Sequence, residues 1–262
     1  MTTALDGLNI QIYTRSCNNQ LFQLSGKSID LPYPKKKLKF TTGGGYFYQI
    51  MKSDADIVIN IDEDAFVVNN KELLDLLTYF VENKYVNCGM PDGGVVPVRG
   101  HNPLVINPFF NIMDLRVLRK DFSLDLMKKY STFDPKYIEM TNQDLVKTSY
   151  IYDMYEPYYP FFLWIRLNYK VLEFDATTLP DGFTTALMSH NNKPFLYHTW
   201  WSRSYGIDSY HTQRINNIMK KCGIEDIAYQ RNFIETIENR IFFRWVVRLW
   251  KVLKFIGLRK YV

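Results

Sequence analysis

The sequence predicts an α/β protein, and three observations carry that reading. Residues 54–68 read DADIVINIDEDAFVV, in which Ile57, Val58, Ile59 and Ile61 suit a strand buried on both faces that ends abruptly in Asp62-Glu63-Asp64. The segment Asn69 to Leu77 follows with an Asn cap and helical periodicity. At 262 residues and 47% hydrophobic content, the chain is long enough for one substantial core, expected over residues 1–239, with a basic appendage over 240–262.

The other elements follow in order. Leu8 to Tyr13 reads as the first strand, with Thr14-Arg15-Ser16 as a polar turn after it. A basic run, Lys35-Lys36-Lys37, leads into a short strand around Leu38–Phe40, and Gly43-Gly44-Gly45 opens a helical segment reaching about Ser53. Three glycines permit close backbone approach and a helix start favours anions, which makes Gly44 a candidate lining of a phosphate site, although the pattern is neither a P-loop nor GxGxxG. Met90 to Pro108, rich in Gly and Pro, reads as an irregular loop carrying Asp92, Arg99 and His101. Beside a strand edge such a loop forms substrate contacts, with Arg99 available to neutralise a donor phosphate or hold an acidic sugar; the alternative is a surface loop without chemistry. Phe109 to Leu115 reads as another buried strand, Val117 to Tyr130 as a helix, and Thr141 to Val146 as a helix start.

The acidic trio falls where open α/β sheets bind ligands, outside the carboxyl ends of the strands. Carboxylates gathered there repel one another unless a cation sits between them. Hard oxygen donors favour Mg²⁺ or Mn²⁺, and such an ion bridges to the diphosphate of a nucleotide. The competing reading, acids placed to cap the following helix, suits Asn69 or Asn70 better than residues five or more positions upstream.

The stretch resembles the D-x-D motif of GT-A glycosyltransferases, which move a sugar from a nucleotide-sugar donor to an acceptor. The resemblance implies a Rossmann-like mixed sheet flanked by helices, with Asp64 as direct metal ligand, Asp62 as its partner in the metal site through the ribose or metal-bound water, and Glu63 in the variable middle position. It implies a nucleotide contact at Thr14 and Arg15. Phe110-Asn111-Ile112-Met113 resembles the F-N-x-G segment of the retaining group that includes glycogenin and lipopolysaccharide galactosyltransferases; Asn111 matches, and Met113 stands where glycine is expected. Asn142-Gln143-Asp144-Leu145-Val146 is similar to the D-Q-D-x-L-N helix start of the same enzymes, matching at Gln143 and Asp144. Asn111, Gln143 and Asp144 are thereby the implied catalytic residues, with retention favoured. Inversion instead needs a carboxylate base, for which Asp144, Asp134 and Glu139 are available. The resemblance also implies a histidine near the end of the catalytic domain as third metal ligand. His198, after Phe195-Leu196-Tyr197, fits, with His190 as competitor, and an imidazole ligand tilts the metal toward manganese. Trp201 and Arg203 follow as a candidate lid that stacks on the sugar and grips the diphosphate.

Cys17, Cys88 and Cys222 are widely spaced with no CxxC pairing, which suits a reducing compartment, and the first residues show no secretory pattern; cytoplasmic chemistry is the expectation. The net charge of +5 is concentrated in the tail, where Arg240, Arg244, Arg248, Lys251, Lys254, Arg259 and Lys260 have no accompanying acid; removing those seven leaves the body at about −2. A nucleic-acid binder spreads its cations over a groove, so nucleic acid is not the expected partner. As a helix, the tail places Arg240, Arg244, Arg248, Lys251 and Lys254 within an arc of about 120°, with Trp245, Leu249, Trp250 and their neighbours filling the rest. That pattern suits an anionic membrane surface, and a glycan or lipid-linked acceptor assembled there, better than a membrane span; packing on protein is the alternative. Two other classes stay open: a nucleotidyltransferase, which lacks its usual glycine-rich basic signature here, and a non-catalytic membrane scaffold, which leaves the acids without a purpose.

Overall fold

The computed structural model describes residues 4–39, 41, 44–228 and 243–258. Its elements in chain order are β1 (Ile10–Ser16), α1 (Asn19–Lys27), β2 (Lys35–Lys39), α2 (Tyr46–Met51), β3 (Ile57–Ile61), β4 (Ala65–Val67), α3 (Asn70–Glu82), β5 (Asn87–Gly89) and β6 (Phe110–Asp114), then α4 (Leu115–Asp121), α5 (Leu124–Lys129), α6 (Tyr159–Asn168), β7 (Val171–Glu173), β8 (Ala176–Thr178), β9 (Thr185–Met188), β10 (Pro194–His198), α7 (Ser209–Lys221) and α8 (Phe243–Phe255). The strands form a six-stranded sheet of order β2-β1-β3-β6-β5-β7 and a four-stranded sheet of order β4-β10-β9-β8. Within the first, β6 alone runs against its neighbours, so the sheet is mixed as expected; the second is antiparallel.

Alternation along β3 explains why its sequence is apolar throughout. Ile57, Ile59 and Ile61 face the layer of α3, packing with Leu73, Leu76, Leu77 and Phe80, while Val58 faces α2 and α6 with Phe47, Ile50 and Phe161. Each such side chain contributes about 1.5–3 kcal/mol by leaving water. Asn69 caps α3 as the sequence indicates, its side chain accepting from Glu72 N at 3.0 Å. A third cluster joins α1 and α7 through Leu21, Leu24, Phe66, Ile215 and Ile218.

Four local expectations are corrected. Thr14-Arg15-Ser16 is not a turn: it pairs in parallel register with Lys37, Leu38 and Lys39, so strand partnership extends β1 through polar residues. The helix expected over 117–130 breaks after α4, because Phe122 is extended and the Ser123 side chain accepts from Leu126 N to start α5. At 141–146 the chain makes only a 3-10 turn, Gln143–Leu145, capped by Asn142. The 90–108 segment is irregular as expected, yet most of it is buried rather than on the surface.

No described helix is long and apolar enough to cross a membrane. In α8, Trp245, Leu249, Val252 and Phe255 are exposed and the Arg248 guanidinium lies over the Trp245 ring at 5.8 Å. Gly43, Arg240, Arg259, Lys260, the Arg244 side chain and the expected 239/240 boundary lie outside the described residues.

Candidate active site

Asp62-Glu63-Asp64 joins the two sheets, leaving β3 at its carboxyl end and entering β4. The three acids point to three different partners. Asp62 Oδ2 accepts from Arg15 Nη2 at 2.6 Å. Glu63 Oε2 accepts from Ser16 Oγ at 2.6 Å and from the backbone N–H groups of Cys17 and Asn18 at 3.0 and 2.8 Å. Asp64 Oδ1 meets His198 Nε2 at 3.2 Å, across 134 residues of sequence.

Strand register makes that last contact. His198 closes β10 and lies opposite Ala65 of β4, beside Asp64. Thr199 N and Oγ1 both donate to Asp64 O, at 2.9 Å each. The imidazole is stacked on Phe109 at 4.2 Å and 8°, with Trp200 at 4.1 Å. Trp200 and Trp201 have φ of 56° and 54°, two successive bulky residues in the left-handed region at a cost on the order of 1–3 kcal/mol each. Trp200 is held there by Nε1 donating to Thr185 Oγ1 at 2.9 Å and by Arg214 Nη2 donating to its carbonyl at 3.3 Å.

Environment splits the two aspartates. Burial raises Asp62 above the usual carboxylate range, with repulsion from Asp64 adding to it and Arg15 opposing. Burial also works against the Asp64 carboxylate, yet His198 and its hydrogen bond outweigh it and hold that group below its ordinary value. Burial pushes Glu63 up to about 8 against the pull of Ser16 and Asn18. Glu63, in the motif's variable middle position, is the clamp that shapes the β1–α1 loop; its signal in sequence is the polar Ser16-Cys17-Asn18 that it binds.

Among the described residues no group of three or more His, Cys, Asp or Glu side chains forms a ready-made metal cluster. Of the expected trio, Asp64 and His198 meet directly, while Asp62 is bonded to Arg15 through Oδ2. The pair fits a cation: two donors at about 2.1 Å from one octahedral ion stand roughly 3 Å apart, close to the Asp64–His198 separation. Among the described residues Asp62 Oδ1 is buried without a hydrogen-bond partner, leaving one more acid oxygen unspent at this edge. His198 Nδ1 is also unpartnered, so ring stacking rather than a hydrogen bond to that nitrogen orients the imidazole.

The remaining expected residues separate. Thr14 and Arg15 lie at the end of β1, with the Arg15 guanidinium 5.4 Å from the Tyr46 ring centroid. Gly44 sits before α2, where an added Cβ would meet Pro157 Cβ at 3.0 Å. Arg203 is exposed and near enough to Cys17 to oppose the burial that pushes that thiol up to about 12, which sets it beside the β1–α1 loop. Trp201 is 41% exposed and stacks on His211 at 5.2 Å. Asn111 is fully buried, with its side-chain amide directed at the Tyr46 hydroxyl. Gln143 and Asp144 are exposed on their 3-10 turn, and no hydrogen bond or ion pair joins them to Asp62, Asp64 or His198. Arg99 Nε and Nη2 make a bidentate pair with Asp92 at 2.8 and 2.6 Å, and Nη2 lies 3.5 Å from Glu156. Its guanidinium is tied up in a network that Tyr158, Tyr159 and Asn107 complete around the fully buried Asp92.

The class so defined is a mixed-sheet α/β protein whose strand edge carries a buried acid–imidazole pair. No family model matches the sequence, and no curated protein matches it significantly. Among solved structures the chain overlaps the mannosyltransferase PcManGT from Pyrobaculum calidifontis, in complex with GDP-Man and Mn2+, at 8% identity and TM-score 0.34 over 59% of this chain and 57% of that one. It overlaps galactosyltransferase LgtC, in complex with donor and acceptor sugar analogs, at 13% identity and TM-score 0.38 over 62% and 72%. A glycosyltransferase involved in glycosylation of the major capsid of PBCV-1 overlaps at 15% identity and TM-score 0.32 over 57% and 82%. All three are glycosyltransferases, and the chain spans little more than half the length of the first. Overlaps this loose carry no argument about the reaction, which has to be read from the site.

Proposed function

We propose that the chain is a metal-dependent glycosyltransferase that moves a hexosyl group from a nucleotide-sugar donor to a glycan or lipid-linked acceptor in surface polysaccharide synthesis. The observation that carries it is the buried Asp64–His198 pair beside Asp62 and Arg15 at the sheet edge. With Asp62 balanced by Arg15, Asp64 leaves this edge net negative, and a diphosphate is repelled there unless a divalent ion joins it. Asp64 and His198 would hold Mn²⁺ or Mg²⁺, which would supply Lewis-acid stabilisation to a departing diphosphate. Around it, Asp62 faces the ribose, Thr14 and Arg15 the nucleotide, Gly44 lines the donor site at the start of α2 with Pro157 packed against its α-carbon, and Glu63 keeps the β1–α1 loop in shape. Arg203 and Trp201 close over the donor. Retention is favoured, with Gln143, Asp144 and Asn111 assigned to the sugar side and product NMR to read the anomer.

Thermal-shift measurements with UDP-, GDP- and CMP-sugars, each with and without Mn²⁺, test the reading. One nucleotide class is expected to raise the melting temperature in the presence of the ion; no shift with any of them would remove the donor site. A nucleotidyltransferase is instead expected to respond to nucleoside triphosphates.

For α8 we infer a seat on the anionic inner face of the membrane, with the enzyme body cytoplasmic. The exposed Trp245, Leu249, Val252 and Phe255 stripe beside Arg248, Lys251 and Lys254 supports it. Flotation with phosphatidylglycerol-containing vesicles is expected to retain the full chain and to lose a chain ending at Glu238; equal retention removes the anchor.

A further inference from the structure

Apart from Asp64, the His198 ring has no hydrogen-bond partner among the described residues, since its Nδ1 is buried without one. A metal-binding imidazole is ordinarily set by a partner on that second nitrogen. Here neighbouring rings set it instead. Phe109 lies on one face at 4.2 Å and 8°, and Trp200 approaches at 4.1 Å and 55°. Those two rings are only 5.7 Å from each other, too close to lie on opposite faces of the imidazole, so they brace it on a face and an edge. The direction of Nε2 toward Asp64 therefore depends on where the Trp200 indole stands.

The indole stands on strained backbone. Trp200 and Trp201 both have positive φ, 56° and 54°, and such strain persists only where the surroundings over-determine it. Two bonds do so at Trp200. Its Nε1 donates to Thr185 Oγ1 at 2.9 Å, and Thr185 is the residue of β9 opposite His198 in the β9–β10 register. Its carbonyl accepts from Arg214 Nη2 at 3.3 Å. Arg214, on α7, is only 5% exposed; its Nη1 donates to Thr184 Oγ1 at 3.0 Å and lies 3.6 Å from Asp181 Oδ2. Asp181 in turn accepts from Thr184 N at 2.8 Å and Phe183 N at 3.1 Å. One turn earlier on the same face of α7, His211 stacks on Trp201 at 5.2 Å and 11°. Burying a guanidinium is costly unless its bonds are specific. Those of Arg214 reach Thr184, just before β9, and Trp200, just after β10, so they tie the two arms of the hairpin together at the end that carries His198.

We propose that Arg214 is a positioning residue for the metal site: by holding the Trp200 carbonyl it keeps the indole against the imidazole and aims His198 Nε2 at the place an ion shares with Asp64. This rests on the metal-dependent reading of that pair. Arg214 also acts on Asp64 through its charge, and the two influences have opposite signs. A cation near the site repels a second one, so charge alone predicts tighter Mn²⁺ binding when Arg214 is lost, whereas positioning predicts weaker binding.

The test compares Arg214→Met and Thr185→Val with Ile218→Val, which loosens α7 in the cluster it shares with α1. On the metal-free full chain, proton NMR follows His198 Hε1 and Hδ2, assigned by their loss in His198→Gln. Arg214→Met and Thr185→Val are both expected to move these resonances as the ring current of Trp200 shifts, and Ile218→Val to leave them in place. Mn²⁺ calorimetry is expected to show affinity falling about tenfold in the first two variants and unchanged in the third. Should Arg214→Met fail to fold, Arg214→Lys, which keeps the charge and gives up the planar fork, takes its place with the same expectation. Resonances that stay put, unchanged or tighter Mn²⁺ binding in the Arg214 variant, or an equal loss in Ile218→Val overturn the proposal. An unsubstituted chain that binds no Mn²⁺ overturns the metal-dependent transferase, and the metal-free resonances then still decide whether Arg214 orients the imidazole.

Discussion

Asp64→Asn is expected to cut metal-dependent sugar transfer or donor hydrolysis by at least about 10³-fold, roughly 4 kcal/mol of transition-state stabilisation, while the protein stays folded. The substitution keeps the shape of the side chain and a hydrogen-bonding group toward His198. Both Thr199 bonds run to the Asp64 backbone carbonyl and do not depend on the carboxylate. What is lost is the anionic oxygen that a hard cation requires. Loss of charge relieves the repulsion that helps raise Asp62 but also removes the attraction to His198 that holds Asp64 below its ordinary value, so thermal stability without metal is expected to fall modestly while the fold persists. Steady-state turnover and Mn²⁺ calorimetry on the same preparation check this; unchanged turnover removes Asp64 from the mechanism.

Asp92→Ala has the opposite profile, a loss of about 3–5 kcal/mol in urea denaturation. The Asp92 side chain has 0% exposure and accepts two bonds from Arg99, whose own side chain is 17% exposed. Removing the carboxylate leaves an uncompensated guanidinium together with the orphaned Tyr159 hydroxyl and Asn107 amide. The joint change Asp92→Leu and Arg99→Met should recover most of the loss, because no lone charge then remains inside. If Arg99 gripped donor phosphate, Arg99→Met would act mainly on nucleotide affinity; the structure expects stability to move instead, and affinity falling with stability intact would restore the phosphate role.

How much of this was legible in the sequence depended on whether the cause was local. The acids after β3 stood out because a strand buried on both faces has to be apolar throughout, so the first charges mark its end, and Asn69 announced α3 by its side-chain chemistry. Thr14–Ser16 was misread because their strand state comes from Lys37–Lys39, a partner no local pattern names. The Asp64–His198 pair was legible only through a family resemblance, since nothing in either segment states that β10 lies against β4. The Arg99 partner was hidden for a related reason: nothing in the loop's local pattern states that Asp92, seven residues away, pairs with it from a buried position.

The meeting of Asp64 and His198 sets a limit on how this protein can vary. The imidazole faces the acid because β10 holds one particular alignment against β4, and successive residues of a strand look in opposite directions. One amino acid gained or lost in the connection between Met188 and Pro194, if absorbed by sliding β10, would carry the histidine to the far side while leaving the sheet intact. Length changes at this exterior turn, ordinarily the most forgiving place in a fold, are here filtered by chemistry some distance away.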